Sequence, residues 1–532
     1  MQTLIKTSSE KVFSIFTYVL AFVFFIVGFW ALDRGVAAAD EGYFLCVLRE
    51  QPMMGMASQY HLLFGNIFNN DILATRILMY LIRIGGYIVL AWGLYKYFAR
   101  QRNIKFLFVL SVVIITARLG LIAFPTICYL NLTVSNICYI CGILMIGNFR
   151  NKVALFLSGF LVGLQLPIMI TSLGFSIPLF LISIYILSGE KRLINCLFFI
   201  SGILGCWIFF FLWVIPLQAY ITNFKSLFDK TIDNGEKQYG FVFLIIWFAR
   251  AIISLGLFCL IGYIIFCFQK LLEKKELNKP IISISIVIVI ISIVYGLSKV
   301  KPSFFFPIQS LLWIIAFYSI WSNKRALRKN EIIVICLLFL LPIGCALGTN
   351  ISFVYKTLNY TALFVPIVFI LIFNNRVLLL FIECIFAYYL LISIIRPITP
   401  YDDFITFSNQ TRSVKDLGIS QSIKVDDNRY DDLRKLKRYV HPNDYVVCDR
   451  GKWYAGALLE TRSLHFNYRC NLSKLIKNIQ VIKPQFFYCI LSSHGELNIN
   501  DLSTQLNKCG YSFSILYSDT LNNTILAKCV NL

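Results

Sequence analysis

The sequence predicts an all-α polytopic membrane bundle of about thirteen transmembrane helices, followed by a small α/β extracytoplasmic domain. Composition and patterning both indicate this fold class. Of the 532 residues, 58% are hydrophobic and only 14% are charged. Apolar runs recur throughout residues 1–396, whereas residues 397–532 are more polar. A water-soluble domain cannot hide so much apolar surface, but a bilayer removes the need to hide it.

The first apolar run, residues 12–32, has two interpretations. Three alanines at 37–39 follow it, as at the cleavage site of a secretory signal. Its apolar stretch of about 20 residues is longer than the hydrophobic part of a signal peptide and is long enough to span. Cleavage would also remove one helix from the bundle. We therefore expect a retained transmembrane helix.

Further apolar runs follow in order along the chain. The break within 153–188 is ambiguous, because both Gly174 and Pro178 lie inside it. Together with the first run, the predicted spans lie near residues 12–32, 77–98, 104–124, 126–147, 153–171, 173–188, 194–218, 240–268, 280–298, 303–321, 331–348, 353–373 and 377–396.

Positive charge alternates between the loops and predicts the orientation. Every second loop is basic, beginning with the N-terminal segment. The basic residues are Lys6, Lys11, Lys96, Arg100, Arg102, Lys105, Arg150, Lys152, Lys191, Arg192, Lys270, Lys274, Lys275, Lys279, Lys324, Arg325, Arg328, Lys329 and Arg376. Basic loops stay in the cytoplasm, so we expect a multi-pass plasma (inner) membrane protein with a cytoplasmic N-terminus and an extracytoplasmic C-terminus. The net charge of +22 then reflects these loops, not a nucleic-acid surface.

Residues 397–532 alternate between helical and strand patterns. We expect helices in 427–440, 453–460, 471–480 and 499–509, and strands in 444–449, 486–492, 511–518 and 523–529. No glycine-rich phosphate loop is present, so nothing supports nucleotide binding. The five cysteines after residue 397 show no metal-binding spacing and define no disulfide framework.

The first long polar loop, residues 33–71, carries the adjacent carboxylates Asp40 and Glu41 just beyond the first span. Carboxylates this close to hydrocarbon are costly unless they have a task or a partner. We therefore expect this loop to hold the catalytic base of a membrane-embedded enzyme. Gln59, Tyr60 and His61 start a predicted interfacial helix in the same loop. His61 either binds a substrate or caps this helix.

A second polar feature is the short loop that carries Lys299 and Lys301. Two lysines in an outer loop run against the positive-inside trend. They indicate an anionic ligand at the membrane surface, such as a lipid phosphate, or else they are solvated beside headgroups.

These features resemble the GT-C superfamily of membrane glycosyltransferases, in particular its protein mannosyltransferase and lipid A aminoarabinose transferase branch. The superfamily carries an acidic pair in its first outer loop, here Asp40 and Glu41. It also carries a lysine loop before an aromatic-x-x-Pro helix start, here Phe304 to Pro307. The family lysine usually lies one residue further from that proline, so Lys299 and Lys301 compete for its role, and the usual tyrosine is Phe304.

The resemblance implies transfer of a sugar from a polyprenyl-phosphate donor to a hydroxyl of a glycan, lipid or protein. Asp40 would be the general base, and Lys299 or Lys301 would meet the leaving phosphate. Glu41 would orient the acceptor, bind a cation or face away. The resemblance implies no cofactor and no metal ligands, although some superfamily members with diphosphate donors use a divalent cation.

Other polar residues near the outer helix ends have two interpretations each. Arg83 and Arg118 each either snorkel or help to bind the donor. Asn131 and Asn350 either line the cavity or serve as turn residues. Deeper in the membrane, Arg250 and Glu383 could reach the same depth, where they either form a structural ion pair or have a functional role. Two alternative functions remain: an O-antigen-type polymerase or ligase, and a secondary transporter, although no internal repeat supports transport.

Overall fold

The structure is a computed structural model. It describes residues 2–36, 40–50, 59–65, 67–123, 127–223, 241–300, 305–346, 360–395, 407–464, 472–492, 497–519 and 523–532. The described chain is mostly helical and ends in a small region with a sheet.

Sixteen helices with defined bounds precede the sheet within these ranges. In chain order, α1 to α16 are Gln2–Trp30, Asp40–Glu50, His61–Phe64, Ile72–Leu94, Phe106–Ala123, Tyr129–Ile146, Lys152–Gly163, Gln165–Ile168, Ile170–Leu187, Arg192–Phe209, Phe241–Lys274, Lys279–Val300, Phe305–Asn323, Lys329–Ala346, Thr361–Leu371 and Arg376–Ile395. Side-chain caps fix several of their starts: Asp71 accepts from the Ala74 amide at 3.0 Å, at the beginning of α4.

Every predicted apolar run contains helix, and the described residues hold six helical segments long and apolar enough to cross a membrane. These are Ser14–Asp33, Ile72–Arg102, Tyr129–Ile146, Ile170–Leu187, Gly189–Val214 and Phe248–Lys274. Shorter apolar helices occupy Phe106–Ala117, Lys152–Ile168, Lys279–Ile293 and Thr361–Leu371. The membrane bundle is thus confirmed in outline, and the count of thirteen crossings stays a prediction.

The ambiguous run from 153 to 188 breaks earlier than its glycine and proline suggested. The interruption lies at Leu164 and Met169, on either side of the short helix α8. Pro178 lies inside α9 instead. The first turn after Met169 is also closed by a side chain, because the Ser172 hydroxyl donates to the Met169 carbonyl at 2.7 Å.

Of the two interpretations of Arg250 and Glu383, the ion pair is wrong. The Glu383 carboxylate accepts a hydrogen bond from Thr17 at 2.7 Å, which joins α16 to α1. Glu383 is fully buried, whereas Arg250 is exposed on the surface of α11. The positions of the two residues within their apolar runs therefore did not reveal which helices are neighbours.

The region from residue 407 onward, called the C-terminal region here, contains all eight helices and strands that the pattern predicts. Its helices α17 to α20 are Asp427–Leu436, Trp453–Leu458, Leu472–Ile482 and Ile499–Lys508. Its strands β1 to β7 are Arg412–Ser413, Lys424–Val425, Tyr445–Cys448, Arg462–Ser463, Phe486–Ser492, Tyr511–Asp519 and Thr524–Asn531. Strands β1 and β2 form an antiparallel pair.

The other five strands form one mixed sheet in the order β4-β3-β5-β7-β6. Strand β3 is parallel to both β4 and β5, while β7 is antiparallel to β5 and β6. One face of the sheet packs on α19 and α20 around Leu475 and Leu502. The other face packs on α17 and α18, and its core also includes Tyr43 and Val47 of helix α2. The first loop and the C-terminal region thus share one hydrophobic core.

Polar contacts also join the first loop to the C-terminal region. The Lys424 ammonium lies 2.7 Å from the Asp33 carboxylate, and the Lys424 carbonyl accepts from the Gly35 amide at 2.6 Å. The Gln421 side chain accepts from the Ile72 amide at 3.0 Å. The C-terminal region therefore lies at the end of the bundle where α1 finishes and α4 begins. A chain whose first helix crosses the membrane then needs an odd number of crossings.

Candidate active site

Helix α2 carries the acidic pair, and its first turn is fixed by a buried ion pair. The Glu41 carboxylate lies 2.9 Å from Nη2 of Arg76 and accepts from Nε of Arg76 at 3.0 Å. The exposed fractions of the two side chains are 1% and 0%. Because a buried charge is costly unless it is paired, each residue offsets the cost of burying the other.

Arg76 also binds the end of the first transmembrane helix. Its Nη1 donates to the Leu32 carbonyl at 2.7 Å, and its Nη2 donates to the Gly35 carbonyl. Carbonyls at a helix end have no partner within the helix, so the guanidinium supplies one. One side chain therefore joins the end of α1, the start of α2 and the first turns of α4. This arrangement fixes the position of the acidic pair relative to the end of the bundle.

A second arginine lies two turns further along α4. Arg83 is 2% exposed, and its guanidinium interacts electrostatically with Glu41 and with Cys128. Arg76 and Arg83 are seven residues apart, so they lie on the same face of the helix. Two arginines at this spacing are unusual in a largely apolar helix. They are the sequence signal from which a buried ion pair with an acid of the first loop could have been inferred.

The middle of α2 packs directly against helix α18 of the C-terminal region. Gly42 lies so close to α18 that an added Cβ would come within 2.5 Å of the Trp453 carbonyl carbon and the Tyr454 amide. The Tyr43 and Trp453 rings meet edge to face at 5.3 Å between centroids. Glycine at 42 is therefore required by a backbone approach and not by a turn.

The last turn of α2 is bound to strand β4. Both oxygens of Glu50 accept from the Ser463 amide at 2.9 Å, and Arg49 donates to the Thr461 carbonyl. Burial raises the pKa of the Glu50 carboxyl, while Arg49 and the Ser463 amide oppose that shift. An acidic residue at a helix C-terminus opposes the helix dipole, so the β4 amide provides the compensating contact.

Gln59, Tyr60 and His61 lie beside this helix and are all buried, at 4%, 0% and 0% exposure. The Gln59 amide donates to the Pro167 carbonyl at 2.6 Å, so this segment rests on helix α8. Of the predicted interfacial helix, the described part is only His61–Phe64 with a 3-10 turn at Ile67–Asn70. His61 is the first residue of the short helix, whose N-cap is Tyr60 and carries no side-chain capping hydrogen bond, so a substrate-binding role for His61 stays a prediction.

Asn131 lies in the first turn of α6, next to the same cluster. It is 4% exposed, and its carbonyl accepts from the Ser135 hydroxyl at 2.9 Å. Its neighbour Tyr129 meets the ring of Phe44 on α2 at 5.7 Å between centroids. The structure thus brings together Glu41, the segment from Gln59 to His61, and Asn131, whose roles as site residues stay predictions.

The other predicted site residues are described less fully. Asp40 begins α2, Arg118 lies in α5 and Lys299 lies near the end of α12, with the description limited to the backbone in each case. Lys301 and Asn350 lie outside the described residues. Their assignments as base, donor-binding and cavity-lining residues therefore stay predictions.

Within the described ranges, no group of three or more His, Cys, Asp or Glu side chains is arranged to hold a metal ion. Comparison with models of known protein families and with curated protein sequences gave no match to this chain.

Proposed function

We propose that the chain is a GT-C-like membrane glycosyltransferase that moves a sugar from a polyprenyl-phosphate donor to a hydroxyl acceptor at the outer face of the plasma membrane. One observation carries this proposal. The acidic pair of the first loop begins a helix that Arg76 ties to the ends of two apolar helices, at the end of the bundle where a lipid headgroup would lie. The complete bundle of thirteen crossings belongs to the same proposal.

The two acids of the pair have different roles in this proposal. Glu41 is 1% exposed, and its carboxylate is committed to the ion pair with Arg76. Glu41 is thus a positioning residue that holds α2 in place. Asp40, the adjacent residue, is the general base and takes the acceptor proton as the hydroxyl oxygen attacks the anomeric carbon.

The leaving group in this reaction is a lipid phosphate, which is already a stable anion. Protonation of the leaving oxygen is therefore not required, but its negative charge has to be balanced. Lys299 or Lys301 supplies that charge. The acceptor class is a hydroxyl of a glycan, a lipid or a protein, and the sequence does not choose among the three.

The proposed orientation follows from the loops and from the contacts of the first loop. The basic loops mark the cytoplasmic side, and the opposite side carries the acidic pair. Because the C-terminal region packs on the first loop, it lies on the side of the acidic pair as well. The donor phosphate would be in the outer leaflet, within reach of the helix that carries Asp40.

The test is a transfer assay on the purified full-length protein. The protein is incubated with a panel of radiolabelled polyprenyl-phosphate monosaccharides, and transfer and hydrolysis are measured beside the Asp40→Asn variant. We expect at least one donor to be consumed by the wild type and not by the variant. Consumption of only diphosphate-linked oligosaccharides would indicate a polymerase or ligase instead. No consumption of any donor would overturn the proposal.

A further inference from the structure

Three polar side-chain atoms at this site are buried without a hydrogen-bond partner among the described residues. They are Oε1 of Gln59, the hydroxyl of Tyr60 and Nε2 of Gln165. The three residues are 4%, 0% and 1% exposed. Native proteins seldom leave buried polar atoms without partners, because such atoms lose their hydrogen bonds to water and gain nothing in return.

The three residues belong to one small part of the molecule. The backbone amide of Gln59 donates to the carbonyl of Pro167, which lies two residues after Gln165 in helix α8. Tyr60 packs in the same apolar cluster as Ile168 and Met169, which follow on that helix. The cluster also holds Leu48 of α2, so it lies directly beside the helix that begins with the acidic pair.

The Gln165 side-chain amide has only one of its two polar atoms hydrogen-bonded within the protein. Its Oε1 accepts from the Ser172 hydroxyl at 3.2 Å, which uses one end of the amide. An amide group offers one accepting and one donating atom, and the donating atom remains. The Tyr60 hydroxyl can both donate and accept, and Gln59 Oε1 can only accept.

These three groups are uncharged and differ in hydrogen-bonding type. A phosphate offers only acceptors and is typically bound by cations, so it does not match this set. A sugar hydroxyl both donates and accepts, and a saccharide carries several at short spacing. We propose that Gln59, Tyr60 and Gln165 form a subsite for the hydroxyl groups of a neutral saccharide. The inference deepens the proposed function, on which it rests for the identification of that saccharide as the transferred or accepting sugar.

The proposal predicts that one substitution will weaken saccharide binding and leave the stability of the ligand-free protein unchanged. Tyr60→Phe removes a hydroxyl that has no protein partner, so the ligand-free protein should lose no stability. The same substitution removes a hydrogen bond to the saccharide and should weaken its binding by a factor of about 5 to 30. Gln165→Leu, a second variant, should weaken binding by a similar factor.

Tyr80→Phe is the matched control. Its hydroxyl donates to the Phe25 carbonyl at 2.9 Å, so this substitution breaks a hydrogen bond that the protein itself makes. The control should lower the melting temperature of the ligand-free protein and leave saccharide affinity unchanged. A merely structural role for Tyr60 would make Tyr60→Phe behave like this control.

The experiment measures thermal unfolding of the purified full-length protein without ligand, with a panel of methyl glycosides, and with inorganic phosphate. We expect one or more glycosides, and not phosphate, to raise the melting temperature of the wild type. Tyr60→Phe should lose that shift without a lower starting temperature. Stabilisation by phosphate alone, by no glycoside, or equally in wild type and Tyr60→Phe would overturn the inference. A wild type that binds a glycoside but transfers no sugar would overturn only the proposed function.

Discussion

The Glu41 carboxylate and the Arg76 guanidinium form an ion pair at 2.9 Å with almost no exposure to solvent. Helix α2 thus begins with one acid committed to a partner, next to a second acid, Asp40. Arg76 also binds the Leu32 and Gly35 carbonyls, which lie in the segment just after α1. The pair therefore fixes the geometry of the loop on which the proposed chemistry depends.

Replacing one partner of this pair should destabilise the protein strongly. Glu41→Gln leaves Arg76 as a buried charge without a counter-ion, which we expect to cost about 3–5 kcal/mol of unfolding free energy. Arg76→Gln should cost at least as much, because it also removes the contacts with Leu32 and Gly35. The double variant should cost less than the sum of the two, as measured by a thermal-unfolding cycle.

The exposed pair of Lys270 and Glu273 on α11 provides the control for this cycle. Its side chains are 55% and 38% exposed, so the same Gln substitutions should change stability by about 1 kcal/mol or less. Additive losses at Glu41 and Arg76, like those of independent sites, would show that the two charges do not interact.

Asp40→Asn tests the base. Asparagine keeps the size of the side chain but accepts no proton at neutral pH, so transfer should fall by a factor of about 10² to 10⁴. Thermal stability should stay near that of the wild type, in contrast to Glu41→Gln. A variant that retains more than about half of the wild-type activity would remove Asp40 from the catalytic role.

Gly42→Ala tests the contact between α2 and the C-terminal region. The added methyl group would come within 2.5 Å of the Trp453 and Tyr454 backbones, and such overpacking typically costs about 1–3 kcal/mol. We expect a lower melting temperature and a loss of transfer, because α2 must move away from α18. Gly451→Ala is the matched control, since its Cβ would meet no atom within 4 Å. Equal stability of the two variants would contradict the close approach.

Glu50 predicts a pH dependence of stability. Burial raises the pKa of this carboxyl above its ordinary value of 4.5, so the folded protein holds the proton to a higher pH than the unfolded chain. The stability that Glu50 contributes is therefore fully present below about pH 4.5 and is lost as the pH rises. The melting temperature of the wild type relative to Glu50→Gln should fall as the pH increases from 4 to 8. A difference that increases with pH would contradict the sign.

The orientation can be tested with reporters fused to the intact chain. A reporter after Leu532 should read as extracytoplasmic, and one inserted after Lys275 in a basic loop should read as cytoplasmic. Leu532 is 87% exposed, so a fusion there should not disturb the sheet. A cytoplasmic signal at Leu532 would put the first loop on the cytoplasmic side too, because the two regions are in contact.

The sequence by itself determined most of the elements and the place of the acidic pair, although helix α2 and the short strands β1, β2 and β4 were not predicted. Apolar runs predicted the helices of the bundle, and all eight elements of the C-terminal region were found where the pattern placed them. This success has a physical reason: the periodicity of apolar residues and the capping residues act over a few positions, so a local stretch of sequence carries the information. Asp40 and Glu41 were recognisable because charge next to an apolar span is unusual in any fold.

Only the tertiary structure decided the partners. Glu41 pairs with Arg76 at a separation of 35 residues, Glu50 binds the Ser463 amide at a separation of 413, and Glu383 binds Thr17 instead of Arg250. Nothing in the local pattern of any of these residues specifies its partner. The burial of apolar surface over the whole chain decides which helices pack together and which end of the bundle the sheet covers. Those contacts therefore depend on residues far apart in the sequence.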